Sequence, residues 1–170
     1  MYCPHCSQLN LPGADQCVQC LFDLASVDVP VPQDKIDASL MMDSVEILEP
    51  RVPVTIAATA SLGDAMTRMV DRGVGAVLLT DPSSQLVGIL TERDFLDRVA
   101  GVAEFEHLPA SRYMTLHPES VAPTDTLAYA LQKMSVGGYR HMPVVKNGVP
   151  VGVFSVRDLL RHVTRLCSPA

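Results

Sequence analysis

Gly88-Ile89-Leu90-Thr91-Glu92-Arg93-Asp94-Phe95-Leu96 is written a second time in this chain, as Gly152-Val153-Phe154-Ser155-Val156-Arg157-Asp158-Leu159-Leu160. In each copy the apolar run after the glycine reads as a buried strand. The hydroxyl residue followed three places later by aspartate reads as the opening of a helix. The chain is therefore internally duplicated, and each half places a hydroxyl and a carboxylate at a strand-to-helix junction.

On either side of this motif, Pro53-Val54-Thr55-Ile56 matches Pro118-Glu119-Ser120-Val121, and a helix from Leu62 matches one from Leu127. Leu62, Ala65, Met66, Met69 and Val70 fall at helical spacing as one apolar face, stopped by Gly73. Leu127, Ala130, Leu131 and Met134 repeat it, with Asp125 or Thr126 as cap and Gly137-Gly138 as stop. Met66, Met69 and Met134 read as core. Strands follow at Ala76–Leu79 and Leu86–Leu90, and again at Met142–Val145 and Val149–Phe154. Their turns are Asp81-Pro82-Ser83-Ser84 and Asn147-Gly148. Closing helices run through Phe95, Leu96 and Val99, or Leu159, Leu160 and Val163. The fold class is α+β, with two β-α-β-β-α units spanning 40–110 and 111–166 and a tail at 167–170. Either unit alone would leave apolar surface uncovered, so the two should pack in pseudo-twofold fashion.

Four of the five cysteines form two Cys-x-x-Cys pairs, Cys3/Cys6 and Cys17/Cys20. In a reducing compartment that spacing favours a closed tetrahedral Zn²⁺ site over disulfides. A segment of 1–24 is too short to fold on its own apolar burial, so the metal would supply most of its folding free energy. Pro12-Gly13 supplies the turn. The segment resembles the short zinc ribbons at bacterial and archaeal protein termini: Asn10 is present, while Ser7 and Leu21 stand where glycines are expected. Four thiolates fill the shell, leaving His5 a bystander. A redox role lacks a thioredoxin-like strand–helix context. Nucleic-acid binding lacks cations, since residues 1–24 hold Asp15 and Asp23 but no Lys or Arg. A protein-docking element remains. Residues 25–39, with Pro30 and Pro32, read as a linker, and Ile36–Met42 as a short helix of the module that follows.

With 13 basic against 19 acidic residues, a net charge of −6 and no Trp, the chain lacks the surface and stacking platforms of a nucleic-acid binder. No stretch reaches the roughly 20 apolar residues of a membrane span. The expected location is the cytoplasm.

Together Pro-x-Thr-Ile and Pro-x-Ser-Val, Arg140-His141-Met142-Pro143-Val144-Val145, Tyr113-Met114-Thr115 and the doubled Gly-h-h-Thr/Ser-x-x-Asp resemble a tandem pair of cystathionine-β-synthase (CBS) domains, a Bateman module, over roughly 40–166. The resemblance implies an adenosine-type ligand, AMP, ADP, ATP or S-adenosylmethionine, in the cleft between the units. Asp94 and Asp158 would accept from the ribose hydroxyls. Thr91 and Ser155 would lie beside ribose and α-phosphate. Main-chain groups near Thr55-Ile56 and Ser120-Val121 would read adenine, and Ile89 and Val153 would wall the base. Arg93, Arg157, Arg140 and His141 are the cations for phosphate. The hydroxyl-x-x-Asp pattern alone is a capping box; two copies in matching contexts favour a ligand site, and the motif can do both.

Where the second half has Arg140-His141 the first has Gly75-Ala76, so one cleft is expected to bind a phosphorylated ligand better than the other. His107, His117 and His162 lack a nucleophile partner or metal spacing, and no catalytic centre assembles. The expectation is a non-enzymatic sensor that relays ligand binding to a regulated protein through the ribbon or a dimer surface. The alternative is a scaffold with vestigial clefts. Similar modules form disc-like homodimers, for which Leu127, Leu131 and Leu159 offer apolar positions.

Overall fold

The computed structural model describes residues 2–11, 14–24 and 32–167. The Pro12-Gly13 turn, most of the expected linker with Pro30, and residues 168–170 lie outside them. The chain divides into two compact units, Met1–Asp34 and Lys35–Ala170.

In the first unit each Cys pair sits in a tight knuckle. Ser7 N donates to Cys3 O at 2.8 Å and Leu21 N to Cys17 O at 2.9 Å. Ser7 and Leu21 adopt left-handed backbone, φ 59° and 57°, the conformation for which glycine is the default. The turn geometry is thus kept without the glycines, at a local cost of about 1 kcal/mol per residue. Leu24, Cys3 and Cys17 form its small core.

The second unit begins with α1 (Lys35–Met42), so the last residues of the expected linker are helical. The first repeat then runs β1 (Thr55–Ala57), α2 (Leu62–Arg72), β2 (Ala76–Thr80), β3 (Leu86–Thr91) and α3 (Glu92–Asp94), which continues as a π-helical turn over Phe95–Val99. Ser61 caps α2 reciprocally with Asp64, and Gly73 ends it at φ 59°. After β4 (Thr115–Leu116), the second repeat gives α4 (Leu127–Gly137), β5 (His141–Lys146), β6 (Val149–Ser155) and α5 (Val156–Cys167). Thr126 is the α4 cap, its hydroxyl accepting from Tyr129 N; Asp125 instead accepts from Ala122 N at 2.7 Å. The first strand expected of this repeat shrinks to one parallel bridge, Val121 with Val144.

The sheet of the first repeat is ordered β1-β2-β3-β4, and β4 is the segment that leads into the second repeat. Reciprocally, Arg51, on the segment that leads into the first repeat, bridges Val153 of β6. Each half therefore lends its leading segment to the other's sheet. Met114 packs across Gly88, and Pro50 lies where a Cβ on Gly152 would come within 2.7 Å. The exchange extends to the core: Val45, Leu40 and Leu48 pack with Leu127, Met134, Met142, Phe154 and Leu159 of the second repeat. The first repeat's core is Ile56, Leu62, Ala65, Met69, Val77, Leu79 and Leu90.

Two expectations are corrected. Leu127 and Leu159 are core residues, 0% and 4% exposed, because the α1 and Val45–Leu48 segments cover that side of α4 and α5; only Leu131 of the expected dimer face is exposed. Met66 is also exposed, unlike Met69 and Met134, because the buried stripe of α2 narrows to Leu62, Ala65 and Met69.

Candidate functional site

β3 ends at Thr91 in extended conformation and the chain turns directly into α3. Asp94 reaches back to this turn: its Oδ2 accepts from Thr91 N at 2.9 Å and from Thr91 Oγ1 at 2.7 Å. This satisfies an N-terminal helix amide and fixes the carboxylate. Its Oδ1 has no hydrogen-bond donor among the described residues. Arg98 Nη1 stands 3.6 Å away, an ion pair, and donates instead to Tyr113 O at 3.0 Å. Asp94 is 8% exposed, and no fully buried side-chain N or O among the described residues lacks a partner, so Oδ1 keeps a small solvent-facing surface. The capping reading and the ligand reading thus divide the carboxylate, one oxygen each.

Asp94 lines a cleft of about 510 Å³, within the range that encloses small ligands. One wall is Ile89, Thr91, Arg93 and the π-turn residues Leu96 and Arg98; the other is Thr115, Pro118, Tyr139, Arg140 and His141. The sequence-derived residues Ile89, Thr91, Arg93, Asp94, Arg140 and His141 therefore share one cleft. Gly75 lines it too, so the Gly75/Arg140 contrast lies within one cleft, where the two halves meet. A Cβ on Gly75 would stand 3.2 Å from both Glu92 Oε2 and His141 Nε2.

The cations of this cleft are unequal. Glu119 is held by Lys133 at 2.7 Å, a bond that pushes the Lys133 ammonium up, and Asp94 is paired with Arg98. Arg93 and Arg140 have no carboxylate partner among the described residues. Burial lowers the His141 imidazole below its ordinary range, although Glu92 and Asp158 pull the other way. Burial thus disfavours the imidazolium form of His141, and the unpaired positive charge of the cleft is guanidinium.

The remaining candidates are elsewhere. Ile56 borders a separate hollow with Ala57, Asp64, Arg68 and Arg72, and Thr55 is exposed on edge strand β1. Val121 is buried, and Ser120 O accepts from Lys133. Val153 pairs with Pro143 and Arg51, and Arg157 is exposed. Ser155 repeats the Thr91 geometry: its amide and hydroxyl donate to Asp158 Oδ2 at 2.8 and 2.7 Å. Asp158 Oδ1, however, accepts from Arg161 Nη1 at 2.9 Å, with Arg51 Nη2 at 3.7 Å. Burial would raise the Asp158 carboxyl, but Ser155 and the two arginines hold it below the usual carboxylate value. It borders a hollow of only about 100 Å³ with Glu49, Arg51, Arg161 and Arg165.

Tyr139, Thr115 and Arg98 escape sequence reasoning. Thr115 becomes visible only once the leading segments are seen to cross over, and Tyr139 lies between α4 and β5, beside the sequence-derived Arg140. Arg98 is brought in by the π-turn, which no periodicity announces.

In the N-terminal unit the four cysteine sulfurs lie within 4.8 Å of one another, with Cys3–Cys20 at 3.6 Å and Cys6–Cys17 at 3.5 Å. Tetrahedral zinc at about 2.3 Å from each sulfur sets them about 3.8 Å apart. Amides of His5 and Gln19 point at Cys3 and Cys17 sulfurs, both at 3.4 Å, as does Asn10 Nδ2 at Cys17. The Gln8 amide favours the Cys6 thiolate, but burial and the neighbouring sulfurs push that thiol up to about 12. Burial opposes Cys17, yet the Cys20 and Gln19 amides lower it to about 6. Four crowded thiols cannot all ionise without a cation, and the residues fit zinc. His5 is outside the cluster and stacks on Phe22 at 5.7 Å.

The family model for the CBS domain matches residues 45–101 and again 110–165. The chain belongs to the CBS-domain family. It is 39% identical over 108 residues to a CBS domain-containing protein of Arabidopsis thaliana, covering 63% of this chain and 20% of that one. The chain thus spans about a fifth of the length of such curated relatives. Among solved structures, a CBS domain protein from Pyrobaculum aerophilum complexed with AMP is 32% identical, with TM-score 0.65, covering 74% of this chain and 99% of that one. A CBS-domain containing protein from Agrobacterium tumefaciens is 31% identical, with TM-score 0.65, covering 71% and 98%. The model match leaves the cysteine unit outside the CBS pair. No described helix is long and apolar enough to cross a membrane.

Proposed function

We propose that this protein is a regulatory, non-catalytic module that binds an adenine nucleotide in the 510 Å³ cleft beside Asp94. The observation that carries this reading is the divided carboxylate: Oδ2 is fixed by Thr91 while Oδ1 accepts no hydrogen bond from the described residues. An ionised oxygen so placed accepts from ribose hydroxyls. Arg93 and Arg140 supply unpaired donors for phosphate, and the Tyr139 ring offers an aromatic face for the base. The AMP complex of the Pyrobaculum protein, 32% identical, supports the ligand class. Thr115 and Pro118 take, on this reading, the adenine-facing place assigned from sequence to Thr55-Ile56 and Ser120-Val121.

Binding across the two halves favours the arrangement in which both walls touch the ligand. The cysteine unit, holding one Zn²⁺ through Cys3, Cys6, Cys17 and Cys20, passes that preference to a protein partner in the cytoplasm, and the protein works as a homodimer. A thermal-shift series with AMP, ADP, ATP, NAD and S-adenosylmethionine, on zinc-replete protein, tests the reading, because a ligand of the folded state must raise Tm. No shift with any adenosine compound refutes it and leaves a scaffold.

A further inference from the structure

The two acidic corners differ in what faces their second oxygen, and we propose that Arg51 and Arg161 close the second cleft, so that each chain binds one adenine nucleotide, at Asp94. This deepens the nucleotide reading and rests on it. At the first corner Asp94 Oδ1 has one arginine near it, Arg98 at 3.6 Å, whose Nη1 donates to Tyr113 O instead; it has no hydrogen-bond donor among the described residues, and Asp94 lines a cleft of about 510 Å³. At the second, Asp158 Oδ1 accepts from Arg161 at 2.9 Å with Arg51 at 3.7 Å, and the hollow is about 100 Å³. Small-ligand sites occupy about 300 Å³ or more. A guanidinium and a ribose diol are both donors, so they compete for the same carboxylate lone pairs.

The cause is legible in pairs of equivalent residues. Asp97 stands three places after Asp94 as Arg161 stands three places after Asp158. Thr115 pairs with Ile89 as Arg51 bridges Val153, its counterpart in the duplicated motif. At these two equivalent positions the first cleft carries a carboxylate and a hydroxyl, Asp97 and Thr115, and the second two arginines, although Arg93, Arg98 and Arg140 line the first cleft elsewhere. Arg51 is fixed by backbone bonds in both directions with Val153, each 3.0 Å. Arg51 and Arg161 thus stand at the carboxylate oxygen that a ribose would have to reach.

Titration calorimetry of the full, zinc-replete chain with AMP tests this. One site per chain is expected, weakened ten- to a hundredfold in Asp94→Asn and unchanged in Asp158→Asn. Arg51→Thr/Arg161→Asp, which writes the first cleft's residues into the second, should raise the stoichiometry from one to two, and Asp158→Asn on that background should return it to one. Both arginine side chains are more than half exposed, so the fold should persist; circular dichroism checks it, and Arg161→Ala is the milder substitute. Two equal sites in the wild type, loss of binding in Asp158→Asn, or one site in the folded double variant and in Arg161→Ala would each overturn the proposal. No binding of AMP, ADP, ATP or S-adenosylmethionine by any variant overturns the nucleotide reading itself, and this one with it.

Discussion

Thr91 holds Asp94 twice, through its amide at 2.9 Å and its hydroxyl at 2.7 Å, and both bonds end on the same carboxylate oxygen. Asp94→Asn keeps a capping oxygen but loses the charge offered to a ribose. AMP affinity should fall ten- to a hundredfold, corresponding to about 1.5–3 kcal/mol for a charged hydrogen bond, with little change in melting temperature. Calorimetry and thermal unfolding on the same samples separate the two effects.

Arg140 has no carboxylate partner among the described residues, so its charge is available to phosphate. Arg140→Ala should weaken AMP at least tenfold, the scale of a charge-assisted bond, and leave adenosine nearly unaffected. Equal losses for both ligands would place Arg140 away from the phosphate.

The cysteine unit should hold one zinc per chain by elemental analysis. Cys6→Ser and Cys17→Ser should each lose it. Metal binding needs all four thiolates, and Cys6 alone would otherwise ionise only near 12, so acidification should release zinc and protons should be released when it binds. Retention of zinc by the Cys6→Ser variant would contradict the four-sulfur site.

Burial lowers the His141 imidazole, so the unfolded chain binds this proton more readily than the folded one. Stability should therefore be full above the ordinary histidine value of about 6.5 and decline as pH falls below it. His141→Gln should flatten that decline in denaturant titrations between pH 7 and 5. The neighbours that share the field are Glu92, Asp158, Arg140 and Arg157.

Gly152→Ala would set a Cβ 2.7 Å from Pro50 Cβ. A proline ring cannot swing aside, so the variant should lose about 1–3 kcal/mol by overpacking. Gly88→Ala, which meets the flexible Met114 instead, should lose less. Urea unfolding of the two variants gives the order.

The sequence was readable wherever period and local chemistry act alone. β2, β3, β5 and β6 lie where apolar runs and turns put them, and Gly73 and Gly138 end their helices in left-handed backbone. Asp94 and its cleft followed from the duplication. What stayed hidden depends on tertiary exchange: Leu127 and Leu159 look like a free helix face until α1 and Val45 cover it. Thr55 and Ile56 resemble the start of a ligand site, yet the segment that lines the cleft is the one before the other repeat, Thr115–Glu119. A pattern within one repeat carries no information about which partner sheet its flank will join.

That crossing of flanks has a consequence for synthesis. Residues 35–51 leave the ribosome long before α4 and α5, the helices against which α1 packs. The stretch just after the cysteine unit must wait, its apolar side chains uncovered, until the last helix has been translated. Truncation within α5 should therefore leave α1 and the core of the second repeat incompletely packed.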